Sequence, residues 1–423
     1  MSIRTILRSL IIIIIIASPS MAQDMEKSLN LDQMINEALK NNPEYISFQH
    51  QWHATEAQIP QAGALPDPTL GFALANLPVN SFAFDQEPMT GKKISLMQMF
   101  PFPGKLGTKQ DIADYQAQVV GKQVEEAGNM LIKNVKSAYF TIFILDKSIE
   151  IVERNKGLMQ QFVQVAETKY SVGKGLQQDV LKAQVEVSKL TDKLISLQQK
   201  RTSVALRLNT LLNRDINSPV PKLADFEPTP FQLSIEAVQD LGTNHRPLLT
   251  SWQFMVEKSK SATKLARMNY LPDISVGVAY TQRNDLSSGM KMYDFFSTEV
   301  NVSVPLYFFK KQSKQIEETQ LTANSIEDRY QQVKNEIQFQ IEDAFNELHK
   351  NATLIDLYKT GIILQATQAL KSAQSGYQVD KVDFLTLLNN QVTLFNYETE
   401  YYRVLTDYEK ALAELEAAVG VRF

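Results

Sequence analysis

After Gly104 the chain reaches Pro219 without a proline, and after Pro305 it reaches Phe423 without another. Proline inside a helix removes a backbone donor, clashes with the preceding turn and costs about 3 kcal/mol, so both tracts are free to form very long helices. Their apolar spacing asks for such helices. Leu131, Val135, Ala138, Ile142, Leu145, Ile149 and Val152 follow alternating steps of four and three, and Met159, Val163, Ala166 and Tyr170 resume the seam after a polar step at Lys156. Beyond an interruption, Val180, Ala183, Val187, Leu190, Leu194, Leu197, Val204, Leu208 and Leu211 do the same. A seam of this period packs as a coiled coil. The segment Lys105 to Tyr170 predicts a helix on the order of 100 Å long, at 1.5 Å of rise per residue.

The pattern occurs twice. Shifted by 206 residues, the first seam falls on Ile337, Ile341, Ala344, Leu348, Asn351, Ile355 and Tyr358. Shifted by 207, the second falls on Leu387, Asn390, Leu394, Tyr397, Tyr401, Val404, Ala411, Leu415 and Ala418, and Tyr408 fills the step between Val404 and Ala411. The interruption ETKYSVGKGLQQDVLKAQ recurs as QSGYQVDKVDFLTLLNNQ, matching Tyr170 with Tyr377, Asp179 with Asp383 and Gln184 with Gln391. Leu65-Pro66-Asp67 matches Leu271-Pro272-Asp273, and Phe100-Pro101 matches Val304-Pro305. Self-similarity at a fixed period signals a duplicated unit. The expected layout is an export signal at 1–22, a first repeat at 23–213, a Pro-rich linker at 214–232 and a second repeat at 233–423. Each repeat holds a helix, two strands and long helices.

The strands show as period-two alternation. Leu70, Phe72 and Leu74 alternate with Thr69, Gly71 and Ala73; Ile274, Val276, Val278 and Tyr280 alternate with Ser275, Gly277 and Ala279. Val300, Val302 and Val304 alternate with Asn301 and Ser303, and Lys93 to Phe102 alternates less cleanly. An apolar face backed by a small or polar face over about ten residues is the pattern of a transmembrane barrel strand. Aromatic residues flank these segments at Phe82, Phe84, Phe295 and Phe296, and again at Phe100, Phe102 and Tyr307 to Phe309, where interfacial girdles would lie. The competing reading is a soluble hairpin packed on the helices. Four strands cannot close a barrel, and an open sheet edge in lipid is intolerable, so a membrane reading requires several copies sharing one barrel: a dimer of eight strands, a trimer of twelve, or more.

Composition sets further limits. The formal charge of −4 carries no basic excess of the kind nucleic acid demands, so no nucleic-acid partner is expected. No cysteine is present, which excludes disulfides, thiolate metal sites, cysteine nucleophiles and an acylated N-terminal cysteine. Arg4 and Arg8, the apolar run Leu10 to Ala17 and Ser20-Met21-Ala22 read as a cleaved export signal, giving a mature chain that starts at Gln23. A membrane anchor is the competing reading, but a spanning helix needs about 20 apolar residues and Arg8 interrupts this one early. No phosphate loop or nucleophile elbow occurs, and the four histidines have no partners at a recognisable spacing, so no enzyme and no cofactor are expected.

Export signal, duplicated unit, two strands and two long helices per unit, and a Tyr-x-x-Gly break before Asp-Val-Leu together resemble the outer-membrane efflux protein family, the TolC-like channels. The resemblance runs from about Leu29 to Gly420. Within the family, Phe100-Pro101-Phe102-Pro103-Gly104-Lys105 is similar to the metal and cation efflux branch. The resemblance implies a mainly α fold with a small β part. Three subunits would form a trimeric α-barrel of long coiled-coil helices and a shared twelve-stranded transmembrane β-barrel, four strands coming from each. It implies a homotrimer embedded in outer-membrane lipid, a periplasmic adaptor (membrane fusion) protein and a proton-driven inner-membrane pump as partners. Several relatives are acylated on an N-terminal cysteine; this chain departs from them.

Candidate functional residues follow. Val172, Gly173, Lys174 and Gly175, with Val379, Asp380, Lys381 and Val382, interrupt the helices; glycine ends a helix cheaply, so a plain turn suffices, and the resemblance adds adaptor docking. Asp179 and Asp383 would cap or charge the following helix starts. In a trimer each becomes a ring of three carboxylates that attracts cations, and the family's gate aspartates fall on Asp383 and, with the charge lost, on Thr386. Pro101 and Pro305 suit corners where strands become helices. His50 and His53, with Glu56, share a helix face and form a thin metal-ligand set that reads better as a surface stripe. Met97 and Met99 share a strand face, where apolar filling is the commoner role. The expected function is a passive exit duct of a tripartite efflux system, gated at the helix tips. The rivals are a periplasmic coiled-coil scaffold or adaptor, and the same duct serving drugs or a secreted polypeptide.

Overall fold

The computed structural model describes residues 30–423, so the expected export signal lies outside the described residues. The chain opens with three short helices, α1 (Leu31–Asn41), α2 (Pro43–Glu56) and α3 (Gln58–Gly63), followed by strands β1 (Thr69–Ala75) and β2 (Gly91–Phe100). Two long helices come next, α4 (Lys105–Ser171) and α5 (Gln177–Leu212). The order then recurs: α6 (Ile235–His245), α7 (Pro247–Met268), β3 (Ile274–Gln282), β4 (Phe295–Val302), α8 (Gln312–Leu357), a π turn (Tyr358–Ile362), α9 (Ile363–Gln378) and α10 (Phe384–Val419). Two strand expectations shift slightly. Phe102 falls beyond the end of β2, because Pro101 cannot donate to a ladder, and Val304 lies past the end of β4.

Local chemistry starts the short helices. Asn30 accepts the Asp32 amide at 2.9 Å, and Asn42 caps α2 ahead of Pro43, its side chain accepting from Tyr45. The Asn42 amide also donates to the Leu211 carbonyl at 3.0 Å, tying this corner to the end of α5. Helix α4 is 67 residues long and on the order of 100 Å from end to end. Its heptad residues Leu131, Val135, Ala138, Ile142, Leu145 and Val152 are buried, as are their partners Ile337, Ile341, Ala344, Leu348 and Ile355. The core follows this seam along the bundle. One large cluster centres on Ile142, Phe143, Leu212, Ile341, Leu405 and Leu415, and a second, toward the helix tips, on Met159, Ala183, Leu370, Tyr377 and Leu387.

The Pro-rich linker is a packed strap. Val220 and Leu223 join the core, and Phe226 packs at a tilt against Phe140 and Phe143. Thr229 donates its amide and hydroxyl to the buried Glu409 carboxylate at 2.7 and 3.0 Å, and accepts from the Tyr408 hydroxyl at 2.6 Å.

The change of offset from 206 to 207 has a structural cause. Helix α4 runs without interruption, whereas its counterpart contains the π turn Tyr358–Ile362. A π turn accommodates one extra residue in an otherwise continuous helix, so every later residue of the second half lies one position further on.

Candidate functional site

The strands form a single antiparallel sheet in the order β1-β2-β3-β4. Its register gives the two faces opposite characters. Leu70, Leu96, Val278 and Thr298 stand in one row across the sheet, and Phe72, Ile94, Tyr280 and Phe296 in the next. These side chains all lie on one face and are exposed in the single chain, Phe72 at 73%. The opposite face carries Gly71, Ser95, Gly277 and Glu299 in sequence with Ala73, Met97, Ser275 and Asn301. Water does not stabilise so large an apolar face; hydrocarbon does. Among the described residues no helix is long and apolar enough to cross a membrane.

At the sheet-to-helix corner, Lys105 is 5% exposed. Its ammonium donates to the Leu271 carbonyl and to Asp273 Oδ1, each at 2.8 Å, and the same carboxylate accepts the Phe102 amide at 2.8 Å. The knot links the start of α4 to the residue before β3, so the two halves brace each other where strand becomes helix. Pro101 stands directly after β2, inside this corner, and Pro305 three residues past the end of β4.

The first helix tip closes through Gly173, whose φ of 73° lies in the left-handed region that glycine adopts without strain. The Gly173 amide donates to Tyr170 O at 3.0 Å and the Lys174 amide to Lys169 O at 2.8 Å. A Cβ on Gly175 would stand 3.0 Å from the Lys169 Cβ and 3.1 Å from the Tyr170 nitrogen, so a larger residue there would have to push the end of α4 aside by a few tenths of an ångström. The second tip follows the same course with Asp380 in the left-handed position, at φ 57°. Val172 and Val379, the matching C-caps, are both exposed, as is Leu176. Among the described residues Lys174 and Lys381 enter no ion pair.

Asp383 is the N-cap of α10. Its Oδ1 accepts the Thr386 amide at 2.7 Å and its Oδ2 the Thr386 hydroxyl at 3.1 Å. These two bonds, the amide first, hold the Asp383 carboxyl below the usual aspartate range. The sequence match of Asp179 with Asp383 is not the pairing the helix starts make. The N-cap of α5 is Leu176 and Asp179 lies in the first turn, so at the constant offset of 207 Asp179 corresponds to Thr386. The first turn of α5 thus carries a charge, whereas α10 has a neutral residue there and its charge at the cap.

Sequence spacing does not reveal what joins the tips. Lys169, at the end of α4, pairs with Asp380 of the other tip, donates to the Tyr377 carbonyl at 2.8 Å and stands 4.1 Å over the Tyr377 ring. The Lys169 hydrogen bond holds the Asp380 carboxyl below its usual range. Tyr377 is buried against Phe384, whereas its match Tyr170 is 49% exposed, because Gln177 stands where Phe384 would. His53 meets Glu56 at 2.8 Å on the outer face of α2 without His50, and among the described residues no group of three or more metal-capable side chains occurs.

The outer membrane efflux protein family matches the chain over residues 34–214 and again over 240–421. The cobalt-zinc-cadmium resistance protein CzcC of Cupriavidus metallidurans is 18% identical over 376 residues, spanning 89% of this chain and 86% of that protein. The outer membrane protein VceC of Vibrio cholerae superposes with a TM-score of 0.79 at 16% identity, over 93% of this chain and 96% of its own. The open state of the MtrE outer membrane channel of Neisseria gonorrhoeae superposes with a TM-score of 0.74 at 15% identity, over 92% and 89%. With two matches that together span most of its length, a two-faced sheet and long paired helices, this chain belongs to the outer membrane efflux protein family.

Proposed function

We propose that the chain is one of three identical, internally duplicated subunits of a passive outer-membrane exit duct. The observation that carries this reading is the four-stranded sheet, apolar on one face and small or polar on the other, with both edge strands unpaired among the described residues. Three copies would close it into a twelve-stranded barrel without lipid-exposed edges, and the long helices would continue as a helical barrel across the periplasm. A periplasmic adaptor would dock on the tip residues Val172 to Gly175 and Val379 to Lys381, all exposed but the half-buried Gly175. An inner-membrane pump, proton-driven, would supply the energy. The relationship to CzcC favours divalent metal cations as cargo. Asp383, with Asp179 and the neutral Thr386 nearby, would set the charge of a constriction inside the tips, and untwisting of the inner helices would open it. No catalytic step is involved.

The test is single-channel recording of the purified protein in a planar lipid bilayer. Discrete conductance steps are expected. Silence under conditions where a control porin inserts, together with release of the protein from membranes by carbonate washing, would leave the scaffold reading in its place.

A further inference from the structure

The two halves dictate how one copy meets the next. Within the chain, β1 and β2 pair with Thr69 opposite Met97, and β3 and β4 pair with Ser275 opposite Asn301. The second pair is the first moved forward by 206 residues on one strand and 204 on the other, the offsets that the Leu-Pro-Asp and strand-end prolines show independently. The hairpins are therefore equivalent, and β2 meeting β3 inside the chain is the pattern for β4 meeting β1 of another copy. Carrying the β2–β3 register across those offsets turns Ser95 opposite Ala279 into Glu299 opposite Ala73, and Gln98 opposite Val276 into Val302 opposite Leu70.

Resting on the trimeric reading above, we infer that the β4 edge of one copy pairs with the β1 edge of a second copy in this register, locked by Lys311 of the first over Asp67 of the second. Two observations carry it beyond the existence of a free edge. First, the register is of the right parity. It sets Val300 against Phe72 and Val302 against Leu70 on the apolar face, and Glu299 against Ala73 on the polar face; a slip of one residue would turn every side chain of an edge to the wrong face. Second, the corner knot has its counterparts in place. Moved by 206, Lys105 becomes Lys311 and Asp273 becomes Asp67. Both are exposed, and among the described residues neither enters an ion pair, whereas Lys105 and Asp273 are joined at 2.8 Å. An unpaired cation beyond one sheet edge and an unpaired anion before the other are complementary only between copies.

The chain has no cysteine, so engineered pairs report cleanly. Directly opposed residues bring their Cα atoms to about 4.5–5.5 Å, within disulfide range, whereas a shift of two along one strand puts them about 7–8 Å apart. The full-length double variant Ala73→Cys/Glu299→Cys is expected to give covalent dimers and trimers on non-reducing gels that collapse on reduction, with Ala73→Cys/Asn301→Cys giving several-fold less. Equal or stronger linkage of the second pair, or no linkage by the first in a protein that native mass measurement shows to be trimeric, overturns the register and leaves the trimer standing. A monomeric mass overturns both. For the lock, Lys311→Asp and Asp67→Lys should each lower the temperature at which the oligomer dissociates in detergent by several degrees, and the double swap should restore it. Additive losses without restoration overturn the Lys311–Asp67 contact.

Discussion

The Asp383 carboxylate spends both its oxygens on Thr386, one on the amide at 2.7 Å and one on the hydroxyl at 3.1 Å. Capping and the proposed gating therefore fall on one side chain, and substitutions can separate them. Asparagine caps about as well as aspartate but carries no charge, whereas alanine does neither. Asp383→Asn is expected to leave amide exchange at Thr386 and Leu387 nearly unchanged while weakening block of the channel by multivalent cations. Asp383→Ala should also speed that exchange several-fold. Cation block identical in all three proteins removes Asp383 from the constriction.

Lys169 fastens one tip to the other through Asp380 and the Tyr377 carbonyl. Lys169→Met should therefore raise the open probability of the channel several-fold at neutral pH without altering its full conductance. The Asp380 carboxyl is held below its ordinary value of 3.8, so the contact is complete above that value and is lost as pH falls through the lower folded-state value. Wild type should accordingly keep its closed state down to about pH 4 and approach the Lys169→Met behaviour only below it. Matching open probabilities for the two proteins at pH 7 would show that the tips are held by other contacts.

Gly242 lies against the buried Ile341, where an added Cβ would come 2.3 Å from the Ile341 Cδ1. Gly242→Ala should cost about 1–3 kcal/mol by overpacking, although alanine is the better helix former. Ile341→Val removes the clashing methyl at a cost of about 0.5–1.5 kcal/mol. The double variant should be more stable than the sum of the two losses predicts, as measured by denaturant unfolding. Simple additivity would mean that the backbone of α6 shifts to accommodate the methyl.

Leu96 and Ser297 face opposite sides of the sheet. An arginine at the midplane of a lipid-facing strand costs about 2–4 kcal/mol, whereas a polar lumen hydrates it. Leu96→Arg should reduce the folded, heat-modifiable form in outer membranes several-fold, and Ser297→Arg should assemble normally with altered ion selectivity. Equal assembly of the two variants would argue against lipid contact on the apolar face.

The long helices, the strands and the recurrence of their order are legible in the amino-acid sequence. Helix length followed from prolines and heptads, and strand faces from period-two alternation; both are local patterns, written within a few residues of one another. The match between halves was also legible, down to the one-residue change of offset. Where that residue went is visible only in the folded chain, because a π turn at Tyr358–Ile362 leaves no composition signature of its own. The fold likewise paired Asp179 with Thr386, since helix starts are fixed by capping geometry and not by residue identity. The Lys105–Asp273 and Lys169–Asp380 pairs join the two halves across 168 and 211 residues of chain. Lysines and aspartates abound on these helices, and which of them meet depends on how the halves dock, a relation between distant surfaces that spacing along the chain does not encode.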